Sequence, residues 1–421
     1  MSAKRSLVLR VALRFPTTLV VSAPHVLVFL PLAIWNDNPG TDFIVQMWGI
    51  AVAGTLVVEA SVALVVAAER RSGRIAPTAS TPDPSTRWEP QRVATIARTV
   101  TIISVVANLT SALLGASTLR SQVDGVLPSG AASILTPFVS WAQVALALLV
   151  AARFLGGLSQ VAVLRWIGVL LLAQIAVASI LTITARAVSF LVLLVVLAFL
   201  TNLVPRAWIA GGIGVLAVLW PTVYAVRNQL RTAHGIDVDA DVSASDRLRF
   251  DEQIVRAAQY GPGHDLGQPG LWDSLRYGLV PRVLDPGRAG VSSGNLINEY
   301  LGGVDFSAYT FLPVATAWFF WGTFTVVLLY AGCAAAVMAL RPWRTIARRP
   351  YAVVLLTLML GGPLAWFITP PDTTIALLQT LVTILPVFLV LHLWARRSEP
   401  PVARDVGRPS SERTDVVAAA A

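Results

Sequence analysis

Charge is scarce in this chain, and two chemically versatile residue types are nearly missing. Only 13% of the residues are Asp, Glu, Lys or Arg, against 55% hydrophobic, and there is one cysteine and one lysine, Cys333 and Lys4. One cysteine permits no internal disulfide and no cysteine-ligated metal cluster, so Cys333, inside an apolar run, reads as a small buried hydrophobe. So little charge, at a mean hydropathy of +0.69, excludes an ordinary water-soluble domain. Ten-residue stretches of alternating hydrophobicity are also missing, which excludes a membrane β-barrel. No small-residue processing site follows the first apolar run, so that run is expected to stay as an anchor.

What the chain has instead is a series of long apolar runs. A run of about 18 or more such residues crosses the roughly 30 Å of bilayer hydrocarbon as a helix, because lipid offers no partner to unpaired backbone groups. The expected fold class is therefore an all-α polytopic membrane protein with about 10 transmembrane helices. The spans fall at 17–35, 43–68, 93–117, 131–152, 166–184, 187–204, 208–226, 311–339, 352–369 and 373–394. Thr184–Arg186 and Val204-Pro205-Arg206 are brief interruptions, and merging across either would change the count.

Arginine in short connections sets the expected orientation. Lys4, Arg5, Arg10 and Arg14 precede the first span, and Arg70, Arg71, Arg74, Arg87 and Arg92 follow the second. Arg341, Arg344, Arg348 and Arg349 follow the eighth, and Arg396 and Arg397 the tenth. The stretches from Asn36 to Asp42 and from Pro370 to Asp372 carry no positive charge. Both termini are then expected in the cytoplasm of a cell with an inner membrane. The net charge of +9 reflects this topology and gives no reason to expect nucleic acid. The division is 1–226 (seven spans), 227–310 (one large extracytoplasmic loop), 311–394 (three spans) and 395–421 (a polar, then alanine-rich tail expected to be disordered). Ile75 to Pro90, rich in Pro, Ser and Thr, reads as a cytoplasmic linker.

The loop concentrates the polar chemistry, with eight arginines against eleven carboxylates between Arg227 and Ala308. Asp237, Asp239 and Asp241 alternate like cation ligands, but Val242 and Leu248 occupy the glycine and glutamate positions of a calcium loop, so a solvated turn is the better reading. Leu271, Leu275 and Leu279 have helical spacing, with Trp272 and Tyr277 suited to a membrane surface. Pro281 should end that helix and present Arg282. The spacing arginine–ten residues–glycine, at Arg276–Gly287 and Arg256–Gly267, is no more frequent than chance and carries no weight.

Three stretches carry a family likeness: Pro281-Arg282-Val283-Leu284-Asp285-Pro286, Gly294-Asn295 through Tyr300, and Tyr309-Thr310-Phe311-Leu312-Pro313. Together they resemble the large external loop of the Wzy-type oligosaccharide repeat-unit polymerases. Thr184-Ala185-Arg186-Ala187 is similar to the Ser-Arg-Gly that opens a span in that family and in the related O-antigen ligases. The likeness covers about fifty loop residues and departs at Phe319-Phe320-Trp321-Gly322, where the family has Asn-Phe-Gly. It implies a glycosyltransferase that joins polyprenyl-diphosphate-linked oligosaccharides, working with a flippase and a chain-length regulator. Arginine suits such a donor because its fixed charge grips phosphate oxygens in pairs as the leaving group gains charge.

Arg282 is the first candidate for the diphosphate, with Arg276, Arg288 and Arg186 as further contacts. Glu299, Asp285 and His264 are candidate bases, and Asn295, Tyr300 and Tyr309 candidate sugar ligands. The scheme requires no metal and no cofactor. Two alternatives stay open. One is another glycosyltransferase: an O-antigen-ligase-like enzyme would use arginine on the same donor with a different acceptor, and a metal-using polyprenyl-phosphate enzyme would use acidic residues such as Asp37 and Asp42, though these are not adjacent. A transporter of lipid-linked glycan would show repeated halves, broken helices and charge at mid-membrane, where Glu59 and Arg186 are the main ionisable residues.

Overall fold

The computed structural model describes residues 14–72, 87–115, 135, 138–181, 183–233, 243–280, 284–285, 292–303, 308–341, 343–367 and 372–396. The acidic alternation at 237–241, most of the 75–90 linker and the tail from 398 lie outside these residues. The described chain is all-helical, with one isolated bridge between Trp88 and Arg396.

The bundle helices are α1 (Pro16–Trp35), α2 (Thr41–Arg71), α3 (Pro90–Leu113), α4 (Trp141–Phe154), α5 (Gln160–Leu181), α6 (Thr184–Thr201) and α7 (Arg206–Ala233). Three short helices follow in the polar segment: α8 (Phe250–Arg256), α9 (Leu271–Leu279) and α10 (Ser293–Tyr300). The chain then forms α11 (Pro313–Ala339), α12 (Pro350–Gly361), α13 (Asp372–Thr383) and α14 (Leu385–Ala395). Among the described residues six helices are long and apolar enough to cross a membrane, or seven if α13 and α14, bent by 43°, are one span. Helix α4, most of α6 and α12 are shorter, at 10–17 residues. Among the described residues the expected count of ten is reached only by including these shorter helices.

Both interruptions noted in the sequence lie beside a break, although Thr184–Arg186 itself forms the first turn of α6. Ile183 leaves helical geometry before α6, and Asn202, in the left-handed region at φ 55°, closes α6 before Pro205. Asparagine tolerates that conformation better than most residues.

Helix α4 is the buried centre, with Val144 through Ala152 fully buried between α3, α5 and α12. Helix α7 is the opposite case. Only Tyr224 is buried along it, while Trp208, Val215 and Val218 are exposed.

The connections sort to the two ends of the bundle. At one end, Arg92 donates to the Trp394 carbonyl, Gln160 to Leu203 and Arg349 to Leu340 and Arg341. At the other, Asn38 reaches Asp251 and Ser293 reaches Asp372. The polar segment is thus anchored opposite the arginine-rich connections.

Three helices are interrupted. A π-helical turn, His25–Phe29, follows Pro24 in α1, since proline supplies no N–H to continue the regular ladder. Gly322 (φ 73°, ψ 172°) breaks α11 with backbone angles that side chains with a Cβ rarely adopt. The third is the α13–α14 bend.

Glu59, the one carboxylate buried midway along α2, has a structural partner. Its two oxygens accept the backbone N–H groups of Thr17 (2.7 Å) and Thr18 (3.2 Å) at the start of α1. A helix begins with unpaired N–H groups, and Pro16 at the first position has none to pair. Glu59→Ala would strand those buried donors at a cost of about 1–3 kcal/mol. We expect a lowered thermal unfolding midpoint in detergent, with Glu59→Gln less affected because it keeps one acceptor; a Glu59→Ala protein as stable as wild type would remove this cap from the account.

Candidate functional site

The site is built where the polar segment meets the broken start of α11. In an unbroken helix the Phe319 carbonyl would accept from Thr323, four residues on. The break at Gly322 frees it, and the backbone N–H groups of Gly263 and His264 donate to it instead, each at 2.8 Å. This fixes the Gly261-Pro-Gly-His264 turn against α11. The His264 ring stacks on Phe319 (centroids 4.5 Å apart, 22° between planes) and lies 5.3 Å from Tyr300. Its Nε2 donates to the Tyr260 carbonyl at 2.7 Å; because a carbonyl only accepts, that nitrogen carries a proton.

Tyr300 leans edge-on against Tyr260 and Phe319 and stays 42% exposed. Tyr309 packs on Phe311, which packs in turn on Phe319. Over the Tyr309 ring, 5.0 Å from its centroid, sits the guanidinium of Arg256. Among the described residues no carboxylate is ion-paired with it. Partial burial opposes its charge, but the hydroxyls of Tyr309 and Tyr260 outweigh that and raise its pKa. Burial raises the Tyr309 phenol pKa against the pull of Arg256, so Tyr309 stays a neutral hydroxyl near pH 7. An exposed, permanently charged guanidinium on a tyrosine platform provides a place for an anion, next to aromatic faces on which a sugar can stack.

The candidates named from sequence fall into distinct places. His264, Tyr300 and Tyr309 come together in this cluster. Asn295 is half-buried in the first turn of α10, and Glu299, near its end, is exposed. Of the three candidate bases Glu299 alone is exposed. Arg276 donates to Asp285 at 2.6 Å, so each of these two residues already has the other as its partner. Arg186 donates to Asn108 on α3 at 2.7 Å, and Asn108 also holds the Val139 carbonyl, which makes Arg186 a clamp between α6 and α3. Arg282 and Arg288 lie outside the described residues.

Arg256 was given no weight in the sequence. Its place four residues before Tyr260 is the one local signal, since such residues share a helix face. The partner that completes the platform, Tyr309, is 53 positions away and came together with it only by folding.

Two contacts seat the polar segment. Asp251, fully buried, accepts Asn38 at 3.0 Å and Arg249 at 3.2 Å, joining α8 to the α1–α2 connection. Helix α9 forms where the leucine spacing places it, but it buries Ser274 and Gly278 and leaves Trp272 and Leu279 exposed. Gln379 on α13 donates to the Tyr277 carbonyl, and a Cβ at Gly278 would lie 2.5 Å from the Leu378 Cβ. At the neighbouring α10, Ser293 gives both its N–H (3.1 Å) and its hydroxyl (2.9 Å) to Asp372, so a carboxylate faces the positive end of that helix.

Comparison with protein-family models, with curated proteins and with solved structures returns no match.

Two measurements test how the segment is seated. Gly278→Leu should push α9 off α13 at about 1–3 kcal/mol, seen as faster protease cleavage within 243–312 while the bundle stays folded; unchanged cleavage would show that α9 docks otherwise. Burial pushes the Asp251 pKa up, but Asn38 and Arg249 prevail and hold it below the ordinary carboxyl value. A depressed pKa stabilises at pH above the unfolded value of about 3.9 and is lost as pH falls through the folded one. Protection of the segment should therefore stay level from neutral pH to about 4 and fall below that, and Asp251→Asn should lower it at neutral pH.

Proposed function

We propose that this protein joins polyprenyl-diphosphate-linked oligosaccharide repeat units into a surface polysaccharide at the outer face of the cytoplasmic membrane. The observation that carries the reading is the exposed Arg256 guanidinium on its tyrosine platform, set in the polar segment that bears the polymerase-like stretches. An acceptor hydroxyl oxygen attacks the anomeric carbon of the donor glycan. The bond from that carbon to the diphosphate breaks, the diphosphate leaves with the electron pair, and the acceptor proton passes to a base. Arg256 and Arg282 stabilise the leaving diphosphate. Glu299 is the best placed of the proposed bases, because it is exposed and stands next to Tyr300 on α10. Tyr300 and His264 supply faces for the sugars. On this reading the polar segment is extracytoplasmic, both termini are cytoplasmic and the short helices complete the ten spans.

The second reading, a transporter of lipid-linked glycan, is favoured by the interruptions in α1, α11 and α13–α14, since broken helices are a mark of transport folds.

One experiment separates them: surface-glycan length in cells lacking the gene, complemented with wild type, Arg256→Ala or Arg282→Ala. Polymerisation predicts exported single repeat units without long glycan in the deletion strain. It also predicts roughly a hundredfold less long glycan with either variant at normal expression. Lipid-linked units trapped inside the cell would favour transport, and unchanged chain length would end the polymerase reading.

A further inference from the structure

The end of the bundle opposite the polar segment holds a cleft of about 440 Å³ between the α4–α5 turn, the C-terminal end of α6 and the turn before α12. Two arginines, Arg153 and Arg348, line it with Gln160 and Asn202, over a floor that includes Phe154 and Leu203. Among the described residues no carboxylate lines it. Arg153 is positioned through Gln160. Its Nε donates to Gln160 Oε1 at 2.7 Å, and Gln160 Nε2 donates onward to the Leu203 carbonyl at 2.9 Å. The side chain that orients this guanidinium is thus itself tied to the end of α6, where the left-handed Asn202 turns the chain.

A simpler role for Arg153 is to balance the negative end of α4, in whose last turn it lies. That role needs neither a second arginine in the lining nor a cavity beside them. Two arginines lining one roomy space, with no carboxylate among its described lining residues, match a phosphate, whose oxygens accept from arginine in pairs. The apolar floor suits the carbon skeleton attached to that phosphate. Just beyond Gln160 the outward side of α5 exposes Val161, Val169 and Leu172, at spacings that share one helix face. Basic pockets between membrane helices are a known mode of head-group binding.

We propose that this cleft binds a phosphate group, either the head group of an anionic phospholipid or a soluble phosphate. The inference is independent of the glycan reading, because it uses no residue of the polar segment.

The test uses the purified full-length protein in nanodiscs containing phosphatidylglycerol and phosphatidylcholine. Retained lipid is read by native mass spectrometry, and inorganic phosphate is titrated by calorimetry in a parallel arm. A phospholipid source predicts about one retained phosphatidylglycerol per chain in preference to phosphatidylcholine, falling roughly tenfold in Arg153→Gln/Arg348→Gln. A soluble source predicts phosphate binding that is lost in the same variant. Arg348→Gln alone alters an exposed residue and keeps the test open should the double variant misfold; it should still weaken the arm that responds. Arg165→Gln, exposed on α5 but outside the cleft lining, should leave both arms unchanged. Binding in neither arm, binding indifferent to the cleft variants, or an equal loss with Arg165→Gln would overturn the proposal.

Discussion

A carboxylate withdrawn from water must recover its hydrogen bonds inside the protein, and three such groups determine how this chain is assembled. Each takes at least one donor from a distant segment. Glu59 of α2 closes the start of α1, Asp251 of α8 holds the α1–α2 connection, and Asp372 of α13 meets the start of α10. Removing one partner from such a set leaves the other stranded in a poor solvent for charge. These contacts therefore specify position more sharply than apolar packing does. Among surfaces rich in valine, leucine and alanine, many sliding arrangements bury nearly the same area.

The same logic explains how a polar segment is fastened to an apolar bundle. Gly322 breaks α11 and releases a carbonyl, and the glycine-flanked turn at His264 supplies the two N–H groups that carbonyl lacks. The aromatic platform follows from that seating. Phe319 comes from α11, His264 from the turn, Tyr300 from α10 and Tyr309 from the residues leading into α11, and the break holds the first two of these together.

Two arginines singled out in the sequence have partners that account for their positions. Arg276 is paired with Asp285, and Arg186 clamps two helices through Asn108. Arg256, by contrast, is held by tyrosines, and tyrosine leaves its positive charge uncompensated. Charge alone did not separate these cases; the identity of the partner did. That the polar segment and the arginine-rich connections lie at opposite ends of the bundle agrees with the bias read from the short connections. The bilayer itself would supply the absolute sense of that axis.

Much of the architecture was legible without coordinates. Helical class, the approximate positions of most apolar helices, breaks close to Thr184–Arg186 and Val204–Arg206 and the amphipathic helix at 271–279 follow from periods and punctuation within a few residues, which local sterics and burial enforce directly. Helix lengths were less legible. Pro350–Gly361 is enclosed by other helices and need not span lipid alone, so hydropathy overstates it. What only the tertiary structure decided is the set of meetings across long separations: Glu59 with Thr17, Asp251 with Asn38, Arg256 with Tyr309, Gly278 against Leu378. No local preference encodes these pairings. Each forms because a buried charge, a free carbonyl or a bare glycine surface has one complementary neighbour once the helices have packed.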